Sequence, residues 1–303
     1  MPEARVTGAP HERDTSALMR NVLGTLSLCL LFGCASTGDD DLSETGTVSG
    51  KTAYWEAGSA TDEGQSTHLF IVNHAITILG HHMSDAHASS AFNRLNATAC
   101  RSRWQQGLYD ADHKVSYNNW YTWSSHFYDP STGTNYLGNI SPIAYNEALN
   151  HLATAKTKLA ANDVNNGCYE LGLSLHYATD ITAPMHATNF AATDKPLDLH
   201  SHIEQRAVTI QNGYIVTDWV GAPTTNVNDT LNAIAWASYN EWPQLWNALD
   251  HAFTLKCNDS INDYTLDHTS CWQGDPGVDA AIGVALRQAQ ASTAAYIYAA
   301  DVH

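Results

Sequence analysis

The stretch Leu171–Phe190, LGLSLHYATDITAPMHATNF, begins as an ordinary buried helix and then stops behaving like one. Leu171, Leu173, Leu175 and Tyr177 are core material, yet His176 and Asp180 stand among them and His186 follows Pro184. Taking an ionisable group out of water is costly unless a partner or a bound ion compensates it. His176 and Asp180, four residues apart, share one helix face a turn apart. Pro184 disfavours helix at Ala183, so the helix is predicted to end there and to release His186 in a new direction.

The same spacing returns at His200 and Glu204 in a second helical segment. A lone histidine in an apolar helix is usually a hydrogen-bonded core residue. Two His-x-x-x-carboxylate pairs plus His186 point to metal instead. Imidazole and carboxylate donors without cysteine suit zinc in an open, reactive site rather than a thiolate-rich structural one. His202, two positions from both His200 and Glu204, is turned off their face.

Working outward, helical patterning dominates. Thr67–Leu79 is apolar nearly all round and reads as a central helix, and Ala91–Leu108 as one amphipathic helix. Tyr109–Tyr136, rich in Tyr, Trp, Asn and Ser, reads as a long loop. Ser141–Ala161 is predicted helical, with a break through Asn162-Asp163 and Asn165-Asn166-Gly167 before the opening helix, Cys168–Thr182. His200–Ile210 follows as helix and Ile215–Asn228 as irregular chain. Thr230–Phe253, interrupted at Pro243, and Val278–Ala300 complete the helices. Strand-like alternation is almost absent, so the class is all-α, a single helical domain with long loops.

The 303 residues carry a formal charge of −17. That acidity offers no phosphate-binding stripe, and nucleic acid is not expected as a partner. Residues 1–34 read as an export signal. Val22–Cys34 has the length of a secretory apolar region and is too short to span a membrane, with Met19-Arg20 as the basic start and Met19 as the expected initiator. Leu31–Cys34 also reads as a bacterial lipobox with Cys34 as the lipidation candidate, the alternative being a plain signal peptide. Residues 35–54 are a polar tether or pro-segment, and residues 55–303 form the working domain. The product is expected outside a bacterial cell, secreted or anchored by lipid. Cys100, Cys168, Cys257 and Cys271 remain for two disulfides. Cys257 with Cys271 would close a short loop and leave Cys100 with Cys168, although three pairings are open to sequence.

LGLSLHYATDITAPMHATNF, together with WEAGSATDEGQSTHLFIVNHAI, QGLYDADHKVSYNNWYTWSSHFYDP, LHSHIE and LRQAQASTAAYI, resembles the bacterial zinc-dependent phospholipases C. That is the family of the secreted Bacillus enzyme and of the catalytic domain of clostridial alpha-toxin, and the resemblance spans Trp55–Ala300. It implies three zinc ions held by Trp55 (through its α-amino group and carbonyl), His68, Asp112, His126, His176, Asp180, His186, His200 and Glu204. Asp180 matches the carboxylate that bridges two zincs. The implied reaction is hydrolysis on the glycerol side of a phospholipid phosphate at a membrane surface, with Asp112 as general base as well as ligand.

The family's choline pocket maps to Gly58, His113 and Trp123. Gly58 lacks the family's carboxylate, for which Glu56 is the nearby substitute, while Trp123 keeps a cation–π face. Phosphatidylcholine is the expected substrate, with phosphatidylethanolamine and phosphatidylglycerol close behind. Coordination by an α-amine needs a free terminus, so a maturation protease must cut Tyr54–Trp55. The toxin's additional lipid-binding domain is not expected, and the protein is expected to act as a monomer. Two alternatives stand: a tri-zinc nuclease using Trp120, Tyr121 and Trp123 to stack bases, and a non-catalytic zinc-binding surface lipoprotein.

Overall fold

A computed structural model describes residues 57–119, 122–219 and 223–301. The export segment, the tether, Trp55, Glu56, Trp120 and Tyr121 lie outside the described residues. Among those described there is no strand, only isolated bridges such as Ala57 with Ser66 and Leu197 with Leu266. The helices are α1 Thr67–His81, α2 Ala86–Asn96, α3 Thr98–His113, α4 Ala144–Ala160, α5 Val164–Asp180, α6 Pro184–Ala187, α7 Leu199–Ile210, α8 Val227–Cys257, α9 Thr269–Trp272 and α10 Pro276–Ala300. The all-α expectation holds, and none of these helices is long and apolar enough to cross a membrane.

The opening stretch lies at the centre. From Leu171 to Asp180 every residue of α5 is buried, and each fully buried Leu is worth about 1.5–3 kcal/mol over an exposed one. The helix starts earlier than predicted because Asp163 caps it, its carboxylate accepting from the Asn166 N–H at 3.4 Å and leaving Asn165-Asn166-Gly167 in the first turns. Its packing against α3 depends on two glycines. A Cβ on Gly172 would stand 2.1 Å from the Trp104 carbonyl oxygen, and one on Gly107 would stand 2.1 Å from that of Tyr169. The two backbones therefore touch where Ala would hold them apart. The disulfide Cys100–Cys168 ties the same two helices, and Cys257–Cys271 ties α8 to α9.

Three boundaries differ from the sequence reading for physical reasons. The predicted helix Ala91–Leu108 is two helices, because Ala97 is extended (φ −60°, ψ 128°) and the chain turns there. The Trp104 indole then donates to the Leu95 carbonyl at 2.9 Å, satisfying an acceptor that the end of α2 leaves open. Tyr109–His113 is helix rather than loop, since Leu108 and Ala111 keep their apolar face buried for another turn. Pro243 does not interrupt α8. It removes one backbone donor, but Leu231 and Ile234 on one side and Leu245 and Leu249 on the other are buried in the two halves of the core, which holds the helix continuous.

Candidate metal centre

Asp112 stands in the last turn of α3, His126 ends a 3-10 turn over Trp123–His126, and His68 lies in the first turn of α1. His176 and Asp180 end α5, His186 sits on α6 past the Pro184 break, and His200 and Glu204 line the start of α7. All eight side chains are buried. The structure brings them into three groups of buried donors that could hold a metal ion: His68, His176 and Asp180; Asp112, His126 and His176; and His186, His200 and Glu204.

The hydrogen bonds on the far side of each ring define what faces inward. Carbonyls only accept, so the partners fix where the ring proton sits. His176 Nδ1–H donates to Leu108 O at 2.9 Å, His186 Nδ1–H to His126 O at 2.9 Å, and His200 Nδ1–H to Phe190 O at 2.5 Å. Each neutral ring therefore turns a bare Nε2 lone pair toward the others. His186 Nε2, His200 Nε2 and Glu204 Oε1 form a triangle with sides of 3.2, 3.2 and 3.1 Å. Two unprotonated imidazole nitrogens and a carboxylate oxygen are all acceptors and cannot satisfy one another, and a cation among them can. Two donors bound to one zinc in a tetrahedron stand about 3.4 Å apart.

The second group meets the same test. His176 Nε2 lies 3.3 Å from both Asp112 Oδ1 and Asp180 Oδ2. His126, which presents Nδ1 instead, is 3.2 Å from His176 Nε2, 2.9 Å from Asp180 Oδ2 and 3.8 Å from Asp112 Oδ1. On the other side, His68 Nε2 stands 3.6 Å from Asp180 Oδ1 and 3.9 Å from Asp112 Oδ2. The two oxygens of Asp180 thus serve two donor groups. Both Asp112 oxygens, Asp180 Oδ1, Glu204 Oε2 and His68 Nε2 have no hydrogen-bond partner, although buried polar atoms are normally satisfied. The donor set fits divalent metal.

The electrostatics agree. Burial, reinforced by the nearby His176, pushes His68 down to about 3. Burial also disfavours a charged His176, but Asp112 and Asp180 outweigh it and raise that ring to about 10. His186 rises likewise to about 10 against burial, through Asp180 and Glu204. Burial opposes ionisation of Asp180, yet His176 and His126 hold it well below the usual carboxylate range. Asp112, Asp180 and Glu204 thus favour positive charge beside His176 and His186, while His68 stays neutral.

Other predicted residues fall outside this set. His113 is exposed, stacked on Tyr109 with ring centroids 3.7 Å apart, and donates to the Tyr109 carbonyl at 2.8 Å. Trp123, partly buried, opens the turn that ends at His126. His202 turns away, as its spacing requires, and pairs with Asp267 at 2.7 Å. Cys100–Cys168 and Cys257–Cys271 settle the pairing that sequence left open. One participant escaped the sequence reading: Thr179, whose hydroxyl lies 2.6 Å from His68 Nδ1. The only trace of it in the sequence is a β-branched hydroxyl residue at a core position between His176 and Asp180.

Buried imidazoles and carboxylates at tetrahedral spacing, carried on helix ends, form a helical site that could hold metal ions. No family model matches the sequence. A phospholipase C of Bacillus cereus is 30% identical over 249 residues, covering 80% of this chain and 83% of that protein. A phospholipase C of Listeria monocytogenes is 30% identical over 218 residues, covering 71% of this chain and 74% of that one. Among solved structures, the alpha toxin of Clostridium absonum superposes with a TM-score of 0.58 at 20% identity over 79% of this chain, a likeness of fold. The chain covers 64% of the toxin's length. The protein belongs to the bacterial phospholipase C family and is a phosphodiester hydrolase.

Proposed function

We propose that the protein is a three-zinc phospholipase C that cleaves glycerophospholipids, phosphatidylcholine foremost, into diacylglycerol and a phosphorylated head group. The observation that carries this reading is the two-sided carboxylate of Asp180, with Oδ1 toward His68 and Oδ2 toward His126 and His176. One zinc would rest on Asp112, His126, His176 and Asp180, and a second on His186, His200 and Glu204. A third would share His68 and Asp180 with the amino terminus made by cleavage at Tyr54–Trp55. The bridge of Ala57 with Ser66 supports the last assignment, since it ties the chain just after Trp55 to the residues just before His68.

When bound, the ions stabilise charge on the phosphoryl oxygens and lower the pKa of a water. The chain's own residues bury and orient that chemistry. The carboxylates and rings sit in surroundings where charge interactions are stronger than in water. Asp112, ionised because its histidine neighbours outweigh burial, is the group to accept the proton of the attacking water. The glycerol oxygen leaves with a proton as diacylglycerol. Trp123, His113 and Glu56 are the head-group residues, and export followed by release at Trp55 completes the reading.

The test is a panel of phosphatidylcholine, phosphatidylethanolamine and phosphatidylglycerol vesicles, with single-stranded DNA alongside, on zinc-loaded protein whose terminus is sequenced as Trp55. Fastest turnover of phosphatidylcholine is expected. DNA cleavage without lipid turnover would establish the nuclease instead, and zinc binding with no turnover the non-catalytic lipoprotein. Asp112→Asn is expected to lower kcat by on the order of 10²-fold with zinc retained; near-normal turnover would leave Asp112 a ligand only.

A further inference from the structure

Three of the buried histidines hydrogen-bond through Nδ1 to backbone carbonyls, those of Leu108, His126 and Phe190, and the His186 Nδ1 also lies 3.3 Å from Asp180 Oδ1. His68 differs from these three, since its Nδ1 meets a side chain, the Thr179 hydroxyl, at 2.6 Å. Both groups are buried, Thr179 and His68 each at 0% exposure.

The direction of that hydrogen bond follows from the helix. Thr179 Oγ1 lies 2.9 Å from Leu175 O and 2.8 Å from His176 O, the carbonyls four and three residues back. A mid-helix threonine donates its single proton to such carbonyls, which leaves only lone pairs to face His68. Nδ1 must then carry the ring proton, and Nε2 is bare. The opposite tautomer would place an Nε2–H toward Asp180 Oδ1 at 3.6 Å and Asp112 Oδ2 at 3.9 Å, both too long for a hydrogen bond, while two acceptors faced each other at Nδ1.

We infer that Thr179 is a positioning residue: its hydroxyl sets the tautomer and ring orientation of His68 and so controls the loading of the ion that His68 shares with Asp180. The inference rests on the metal reading above. It applies to this ion more than to the others because the described residues supply it with fewer close donors. His68 Nε2 and Asp180 Oδ1 stand 3.6 Å apart with Asp112 Oδ2 farther off at 3.9 Å, and the His176 that completes their group is also 3.3 Å from Asp112 Oδ1 and Asp180 Oδ2 on the other side. An ion with few protein donors leans heavily on the orientation of each, and losing an outer partner of a ligating histidine costs about 10–100-fold in affinity.

The experiment compares wild type, Thr179→Val and Thr179→Ser as processed protein whose terminus is sequenced as Trp55. Zinc per chain is read by atomic spectrometry across a chelator series, and histidine tautomers by long-range ¹⁵N–¹H correlation. Thr179→Val keeps the shape of threonine and removes the hydroxyl. It is expected to release one zinc equivalent at about 10–100-fold lower chelator while the rest stay bound, and to lose the Nδ1–H signature of His68. Thr179→Ser is expected to restore both. A wild-type His68 protonated at Nε2 would overturn the inference, as would a valine variant that keeps every equivalent at the wild-type midpoint or loses all of them in one step with its fold. A wild type that takes up no zinc but shows His68 as the Nδ1–H tautomer would overturn the metal reading and the loading role together, leaving only the tautomer assignment.

Discussion

Asp112, His176 and Asp180 ride on the ends of two helices whose backbones touch, whereas His186 and His200 lie either side of an irregular segment. The first set is held by the Gly107–Gly172 contact between α3 and α5 and by the Cys100–Cys168 disulfide. The second depends on single hydrogen bonds, from His186 to the His126 carbonyl and from His200 to that of Phe190. It also depends on the segment before α7, where Asp198 adopts a left-handed φ of 71° and Leu197 pairs with Leu266. The first set surrounds a shared carboxylate and the second is a three-cornered triangle. A helix pair in backbone contact thus carries the carboxylate that faces two groups of candidate donors, and the simpler triangle is left to less regular chain.

The strongest test of that contrast removes the shared carboxylate. Asp180→Asn should release metal from both groups it touches and lower kcat by on the order of 10³-fold or more. Glu204→Gln should cost a single equivalent. Equal metal loss in the two variants, measured by spectrometry, would erase the distinction.

The disulfides divide in the same way. Replacing Cys100 and Cys168 by Ala opens a loop of sequence separation 68, and Cys257 with Cys271 one of 14. Loop entropy predicts losses of about 4 and about 3 kcal/mol respectively, readable from urea denaturation. Only the first should also weaken metal retention. Gly172→Ala should cost about 3 kcal/mol, because the added carbon meets a backbone oxygen that cannot swing aside.

The smallest effect is expected at Glu241 on α8, a mostly buried carboxylate whose Oε2 has no hydrogen-bond partner. Burial pushes it up to about 7. The folded protein therefore holds this proton more tightly than the unfolded chain does. Stability from this group is fully present below the unfolded carboxyl pKa and is lost as pH rises through about 7. Glu241→Gln should match wild type near pH 4 and melt about 2–4 °C higher at pH 8. A gain of the same size at both pH values would show that ionisation is not its cause.

Much of the centre was legible from spacing. His176 with Asp180 and His200 with Glu204 are four residues apart on helices, and a helix places such pairs on one face wherever it packs. Pro184 likewise announces its break locally, and Ala183 is extended as predicted. The end of α3 was not legible, because whether Tyr109–His113 stays helical is settled by what Leu108 and Ala111 pack against. Nor was the continuity of α8 through Pro243, where burial on both sides outweighs a local preference.

The amino-acid sequence by itself determined the helical class, the His–carboxylate pairs within each helix and the family, since these depend on periodicity and on residue chemistry along a short span. Only the tertiary structure decided which cysteines pair, which oxygen of Asp180 faces which histidine and where each ring proton sits. Those facts depend on atoms far apart in the chain: His68 meets Thr179 across 111 residues and His126 meets Asp180 across 54. No local pattern records a hydrogen bond of that reach.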